Sequence, residues 1–197
     1  SLITSSPSIF SVLIANLAHM SFAEGCFPTA LKHAIVTPLL KKPGLDVNSP
    51  ASYRPISNLN NISKILERLF LSRFQPHITS SSNFNPLQSA YRRSHSTETA
   101  LLHTLDHIFT AADHSQPTVL VSLDLSAAFD TIDHHTLLSR LQSSFGITGT
   151  AHHWIQSYLQ GRTQCVALGT HQSHTVPVTT GVPQGSVLGP LLFTTYI

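Results

Sequence analysis

The clearest candidate for chemistry is an apolar run that leads directly into acidic side chains. Residues 119–123 are rich in strand formers, Asp124 follows at once, and Asp130 and Asp133 come within ten residues. A carboxylate at the end of a buried strand is rigidly held and suits a hard cation such as Mg²⁺. The alternative is that Asp124 begins a turn while the other two acids cap the next element of the chain. Spacing alone leaves both interpretations open.

A glycine- and proline-rich turn near the end of the chain is the second candidate. In the stretch GVPQGSVLGP, Gly181 and the turn 183–185 allow backbone to approach a ligand closely. Gln184 adds a neutral donor and acceptor, and the following helix start offers free N–H groups. The same pattern is also typical of an ordinary connecting loop.

Basic residues of the first half form the third candidate. Lys41 and Lys42 end a predicted strand and Arg54 lies beyond the following loop, so the three could converge on phosphate. Arg92 and Arg93, in the stretch AYRRSHS, are placed to touch a nucleic-acid backbone. In both cases the alternative is a solvated surface charge.

Two other chemistries fit the pattern poorly. His103 and His107 share one helix face, but no cysteine or acidic residue is suitably spaced to complete a zinc site. Ser186 lacks the G-x-S-x-G elbow of a serine hydrolase. A zinc-dependent or serine hydrolase therefore ranks last among the functional classes.

The composition sets wider bounds. Of 197 residues 41% are hydrophobic, enough for a core, and only 10% are charged, against about 25% in typical soluble domains. Residues 1–100 carry nine basic and four acidic residues, whereas residues 101–197 carry two and five. That asymmetry suits a polyanionic partner that also needs a cation.

Two cysteines make no disulfide framework and favour an intracellular protein, nuclear or cytoplasmic rather than secreted. The apolar stretch 9–20 is too short to span a bilayer.

Hydrophobic periodicity predicts the elements that must position these groups. Helices are predicted at 8–23, 61–75, 96–113, 134–144 and 150–160, a strand followed by a turn at 33–44, a strand at 118–124, a hairpin at 163–169 and 174–180, and a closing helix after the turn at 183–185. Helices and strands alternate without a regular βαβ repeat, which favours the α+β class.

Four separated blocks together resemble one family. The stretches KKPG…SYRPISNLNNISKILERLF, QSAYRRSHSTETALL, LDLSAAFDTIDHHTLLSRL and GVPQGSVLGPLLF are similar, in this order, to the reverse transcriptase domain of non-LTR, LINE-type retrotransposons. The resemblance implies a right-hand polymerase: fingers at about 1–115 and 145–180, part of a palm at about 116–144 and 181–197, and no thumb.

The resemblance also assigns roles to particular positions. It places Asp124 and the backbone carbonyl of Leu125 at a metal, Phe129 beneath the sugar, Gln184 and Gly185 along the nucleotide and template, and Lys41, Lys42 and Arg54 on the triphosphate. Asp130 and Asp133 match structural positions. The implied cofactor is Mg²⁺, and the implied partners are an RNA template, a DNA primer and a deoxynucleoside triphosphate, with no membrane and no disulfide partner.

One departure from the family limits these expectations. Family members carry a second acidic pair, in a Tyr/Phe-Ala-Asp-Asp hairpin after the closing helix, and the sequence to Ile197 contains none. One carboxylate does not hold two Mg²⁺ ions, so this chain by itself is expected not to polymerise. The alternative function is a decayed, non-catalytic relative that at most binds nucleic acid or a protein partner.

Overall fold

Helices alternate along the chain with the strands of a five-stranded mixed sheet, in agreement with the predicted α+β class. The computed structural model describes residues 7–125 and 127–197. The helices are α1 (Pro7–Glu24), α2 (Asn61–Ser80), α3 (Thr97–Asp113), α4 (His134–Phe145), α5 (Gly149–Leu159) and α6 (Gly189–Tyr196). The strands are β1 (His33–Leu40), β2 (Tyr53–Asn58), β3 (Arg162–Leu168), β4 (His171–Gln172) and β5 (Val176–Val178).

The longest of the core helices, α2, extends beyond its predicted end. The prediction stopped at residue 75, yet the helix continues through Pro76 to Ser80. Phe74 and Ile78 are both buried, so the apolar stripe of the helix persists past the proline. Burial of that stripe offsets the hydrogen bond that proline cannot donate.

Aromatic packing between α2 and α5 forms the centre of the core. The Phe70 and Trp154 rings are stacked with centroids 4.1 Å apart, and Trp154 is stacked in turn on Tyr158 at 5.8 Å. The Trp154 indole N–H donates to the Ser21 hydroxyl on α1 at 2.9 Å. A buried indole needs such a partner, so this bond fixes α1 against α5.

The sheet is built around β1. Strand β1 pairs antiparallel with β2 and parallel with β3, and β3 also pairs antiparallel with β4 and β5. The predicted hairpin at 163–169 and 174–180 is confirmed, with its return arm divided into two short strands. In this order β2 lies at one edge of the sheet, with its outer side open to a neighbouring loop.

The predicted strand at 118–124 is wrong. These residues form neither a helix nor a strand, and Val119 and Leu123 are 85% and 88% exposed. A strand is stabilised by pairing and by burial of its side chains, and no other strand of the described residues pairs with this segment. The apolar face of helix α3 is exposed in the same way, at Leu101, Leu102 and Phe109.

Local capping groups set both ends of α4 and give a pH-dependent prediction. The Asp133 side chain accepts a hydrogen bond from the Thr136 N–H at 2.7 Å, and Gly146 ends the helix in the left-handed conformation. The hydrogen bonds from Thr136, and then the neighbouring His135 and His134, hold the pKa of the Asp133 carboxyl below its ordinary 3.8.

Because this pKa is lowered by folding, the charged cap stabilises the protein above pH 3.8 and loses that effect as the pH falls further. Asp133→Asn keeps a capping oxygen but cannot ionise. We therefore expect the wild type to melt at a higher temperature than the variant at about pH 5, with the difference shrinking towards about pH 3. Thermal unfolding over this range, with Asp113→Asn as the control, measures it. A difference that stays constant with pH would contradict the prediction.

Candidate functional site

Residues 181–188, here called the Gln184 loop, are tied to the segment that comes after Asp124. The Gly181 N–H donates to the Ile132 carbonyl and the Val182 N–H donates to the Phe129 carbonyl, each at 2.8 Å. The His134 Nε2 lies 2.7 Å from the Gly181 carbonyl and donates to it. These three bonds hold the two sequence-predicted stretches side by side.

The approach between these segments is so close that only glycine fits at position 181. Gly181 has a φ of +79°, and an added Cβ would lie 2.7 Å from the Phe129 carbonyl oxygen and 2.8 Å from the Asp130 Cα. Both neighbours are backbone atoms that cannot swing aside. The sequence analysis expected Gly181 to let backbone approach a ligand closely, whereas the close neighbour in the structure is the chain itself.

The other side of the Gln184 loop is fixed to the edge of the sheet. The Ser57 N–H of β2 donates to the Gln184 carbonyl at 2.8 Å. A Cβ at Gly185 would lie 3.1 Å from the Ser57 carbonyl oxygen. The loop therefore joins the β1–β2 hairpin to the segment around Phe129.

A buried carboxylate that the sequence analysis missed holds the end of this loop. Glu67 of α2 is fully buried. Its Oε2 accepts from the N–H groups of Val187 and Leu188, at 2.8 and 3.1 Å, and from the Tyr158 hydroxyl at 3.2 Å. Its Oε1 accepts from the Ser63 hydroxyl at 3.0 Å. Glu67 thus positions the Gln184 loop by satisfying backbone donors at the start of the closing helix.

A sequence signal for Glu67 existed. Ser63, Glu67, Phe70 and Phe74 are spaced by four, three and four residues, so they share one helix face. All four are buried. A carboxylate within an otherwise buried stripe needs hydrogen-bond donors from elsewhere in the fold.

Phe129 lies half-buried beside the closing helix. Its ring centroid is 5.2 Å from that of Phe193 and 6.3 Å from that of Tyr91. These contacts, with the bond from Val182 to its carbonyl, fix the position of the ring.

Asp124 itself is exposed on the unpaired segment 118–124. Among the described residues, no three histidine, cysteine, aspartate or glutamate side chains come together in a way that would hold a metal ion. Asp130 is also not part of a metal group, and partial burial raises the pKa of its carboxyl. The carboxylates in the described parts of the chain therefore do not fit a complete two-metal centre.

Lys41 and Arg54 meet at the far end of the β1–β2 hairpin. The Arg54 Nη1 donates to the Lys41 carbonyl at 3.4 Å, and the Lys41 Nζ donates to the Ala51 carbonyl at 2.9 Å. Lys42 follows on the exposed turn. Arg54 is three residues from Ser57 along β2, or about 10 Å at the usual rise. The structure brings Lys41 and Arg54 together, three residues along β2 from the Ser57 contact with the Gln184 loop.

The two arginines at 92 and 93 have different surroundings. The Arg92 Nη1 donates to the Pro86 carbonyl at 2.6 Å, and its guanidinium lies 5.9 Å from the Phe84 ring centroid. Arg92 therefore stabilises its own loop. Arg93 is exposed and is the freer of the two for an external contact.

Comparison with models of known protein families identifies the family of this chain. The family model described as reverse transcriptase (RNA-dependent DNA polymerase) matches residues 40–197, which contain the β1–β2 hairpin turn, Asp124 and the whole Gln184 loop. The chain belongs to the reverse transcriptase family.

The similar curated proteins narrow the relationship to the reverse transcriptase domain of non-LTR retrotransposons. The probable RNA-directed DNA polymerase from transposon BS of Drosophila melanogaster is 35% identical over 86% of this chain and 18% of its own length. The RNA-directed DNA polymerase from mobile element jockey of Drosophila funebris is 32% identical over 95% of this chain and 20% of its own. The Pol polyprotein from retrotransposable element R2 of Popillia japonica is 28% identical over 90% and 24%. The chain thus spans about a fifth of the length of these relatives.

In the described ranges, none of the helices has the length and apolar character that crossing a membrane demands.

Proposed function

We propose that this chain forms the fingers and the first palm segment of an RNA-directed DNA polymerase. The fingers would comprise about residues 1–115 and 145–180, and the palm elements about 116–144 and 181–197. The supporting observation is the double attachment of the Gln184 loop. It bonds to Ser57 on one side and to Phe129 and Ile132 on the other, so one loop would connect the two subdomains next to the incoming nucleotide.

Each predicted site residue then takes a role on this scaffold. Asp124 and the Leu125 carbonyl would contribute part of a Mg²⁺ site, while Gln184 and Gly185 would line the nucleotide and the RNA template. Lys41, Lys42 and Arg54 would offset the charge of a triphosphate, as cations do for phosphate oxygens. Arg92 and Arg93 would lie near the template–primer backbone.

Phe129 would exclude ribonucleotides. A ring beneath the sugar leaves no space for a 2′-hydroxyl, provided that the ring cannot move. The contacts with Phe193 and Tyr91 supply that rigidity. In this role Phe129 selects deoxynucleotides by steric exclusion.

An extension assay in a chimeric enzyme tests the proposal. The chain replaces the matching segment of the jockey polymerase of Drosophila funebris, and the chimera extends a DNA primer on an RNA template with Mg²⁺. We expect Asp124→Asn to reduce extension by at least about 100-fold, because one charged metal ligand is lost. Asp133→Asn, which keeps its helix cap, is the matched control and should leave extension within about twofold.

Extension that survives Asp124→Asn unchanged would contradict the proposal. The isolated chain is a second arm, and we expect it to extend no primer because the described residues assemble no three-ligand metal group. Robust extension by the isolated chain would show that this interpretation of the metal site is wrong.

The same metal-group observation favours one alternative, a non-catalytic protein that binds nucleic acid or a partner. A chimera that folds and binds RNA but never extends a primer, with or without Asp124, would support this alternative.

We propose in either case that the protein acts inside the cell, in the nucleus or cytoplasm, since Cys26 and Cys165 are both free.

A further inference from the structure

A pocket of about 490 Å³ opens between helices α1, α2 and α5, and none of its lining belongs to the Gln184 loop. Four aromatic side chains line it: Phe22, Phe70, Phe74 and Trp154. The turn between α4 and α5, at residues 146–148, lines it as well. Both the volume and the mainly apolar lining are typical of small-molecule sites.

Contacts between the surrounding elements fix the walls of this pocket. The Phe22 ring centroid of α1 lies 6.0 Å from that of Phe70 on α2 and 5.6 Å from that of Trp154 on α5. His77 of α2 joins the end of α4, because its Nε2 lies 2.7 Å from the Phe145 carbonyl and donates to it. The pocket is therefore formed before any ligand arrives, which limits the ordering that binding would cost.

The charge on the pocket lining has one sign. Arg73 of α2 is exposed, and its guanidinium carbon lies over the Phe22 ring, 5.8 Å from the centroid, within the range of a cation–π contact. The lining residues all belong to the described part of the chain, and none of them is acidic. A guanidinium binds a carboxylate through two parallel N–H donors, so an anionic group suits this lining.

The remaining lining favours an apolar ring beside that anionic group. A ring placed against Phe22 and Phe74 would remove apolar surface from water and gain aromatic contacts. A nucleobase suits the pocket less, because its ring donors and acceptors would be buried against mainly apolar side chains. The ligand that satisfies this lining thus has one charged end and an apolar body.

We propose that this pocket binds a small aromatic carboxylate, with its ring against Phe22, Phe70 and Phe74 and its carboxylate on Arg73. None of these residues belongs to the Gln184 loop or to the proposed metal site. The inference is therefore independent of the proposed function, and either can fail while the other stands.

Nuclear magnetic resonance on the isotope-labelled chain tests the pocket, with 2-naphthoate as the probe. The chain contains one tryptophan, so the Trp154 indole N–H gives a single side-chain signal that reports on the pocket. We expect 2-naphthoate to shift this signal saturably, with a Kd of about 1 mM or lower for a ligand of this size. The neutral analogue 2-naphthamide has the same ring and should bind more weakly, because it makes no ion pair with Arg73.

Arg73→Gln distinguishes this pocket from other apolar surface, and because Arg73 is exposed, this variant is the deciding one. It should weaken 2-naphthoate binding by roughly tenfold and leave 2-naphthamide binding within about twofold. Arg68→Gln is the matched control, because it removes an exposed cation of α2 that does not line the pocket. Ala151→Phe, which adds a ring to the lining from α5, should weaken the binding of both probes.

The proposal is overturned if 2-naphthoate leaves the Trp154 signal unmoved, if Arg73→Gln and Arg68→Gln weaken its binding equally, or if Arg73→Gln weakens both probes alike. Uridine monophosphate is the third probe, and tighter binding of it than of 2-naphthoate would overturn the proposal, because the pocket would then recognise a nucleotide. Shifts confined to the amide signals of α3, whose apolar face is exposed, would assign the probe to that surface and also overturn it.

Discussion

Replacing Glu67 by leucine is expected to lower the free energy of unfolding by about 3–5 kcal/mol. The substitution removes the acceptor for four donors at once: the N–H groups of Val187 and Leu188 and the hydroxyls of Tyr158 and Ser63. Each buried donor left without a partner costs about 1–3 kcal/mol. Leucine fills the space but supplies no acceptor, so urea unfolding at neutral pH should show the full loss.

Glu67→Gln distinguishes hydrogen bonding from simple space filling. Its amide oxygen can replace Oε2, which accepts from Val187, Leu188 and Tyr158, while its NH₂ group donates to the Ser63 hydroxyl. We expect a smaller loss, about 1–2 kcal/mol, because hydrogen bonds to a neutral oxygen are weaker than those to a carboxylate. Hydrogen exchange at the Val187 and Leu188 amides should rise strongly in Glu67→Leu and only slightly in Glu67→Gln.

Glu24→Gln, at the exposed end of α1, is the control for loss of one negative charge and should change stability little. Equal stability of Glu67→Leu and Glu67→Gln would show that the carboxylate does not hold the Gln184 loop. Faster exchange across the whole protein, without emphasis on the two loop amides, would point to the same conclusion.

Features set by neighbouring residues were predictable from the sequence. The Asp133 cap and the Gly146 end of α4 use groups within a few residues of one another, and both are present. Apolar spacing placed α3 and α5 within one residue of their observed bounds at each end. The capping box of α3, in which Ser96 and Thr99 bond to each other's backbone, is similarly local. Such signals act on the segment itself, whatever the rest of the chain does.

Features that depend on distant partners were not predictable in the same way. Residues 118–124 have strand composition, but composition does not supply the neighbouring strand, so they stay unpaired and exposed. Glu67 finds its donors 91, 120 and 121 residues away. Arg162 was not a candidate in the sequence analysis, yet its guanidinium lies over the rings of Phe27 and Tyr158. The candidate site was located by its motifs, whereas the residues that hold it in place appeared only in the fold.

These distant contacts meet in the Gln184 loop, which joins parts of the chain far apart in sequence. Ser57, Glu67, Phe129 and Ile132 each bond to its backbone. Three of these four contacts involve backbone alone on both sides. Backbone positions tolerate little adjustment, so the geometry of the loop depends on the residue that allows the closest approach, Gly181.

Gly181→Ala is therefore expected to lower the free energy of unfolding by about 3 kcal/mol. The φ of +79° disfavours any side chain, and the new Cβ would lie 2.7–2.9 Å from three backbone atoms of Phe129 and Asp130. Those atoms cannot retreat without breaking the bonds from Gly181 to Ile132 and from Val182 to Phe129. Gly169→Ala isolates the cost of the backbone conformation, because Gly169 has a φ of +60° with nothing within 4 Å of an added Cβ. This substitution should cost only about 1 kcal/mol.

Urea unfolding of the two variants measures the difference, and faster hydrogen exchange at the Val182 amide should accompany only Gly181→Ala. Equal costs at the two positions would contradict the close approach, and with it the rigid connection between Phe129 and the Gln184 loop.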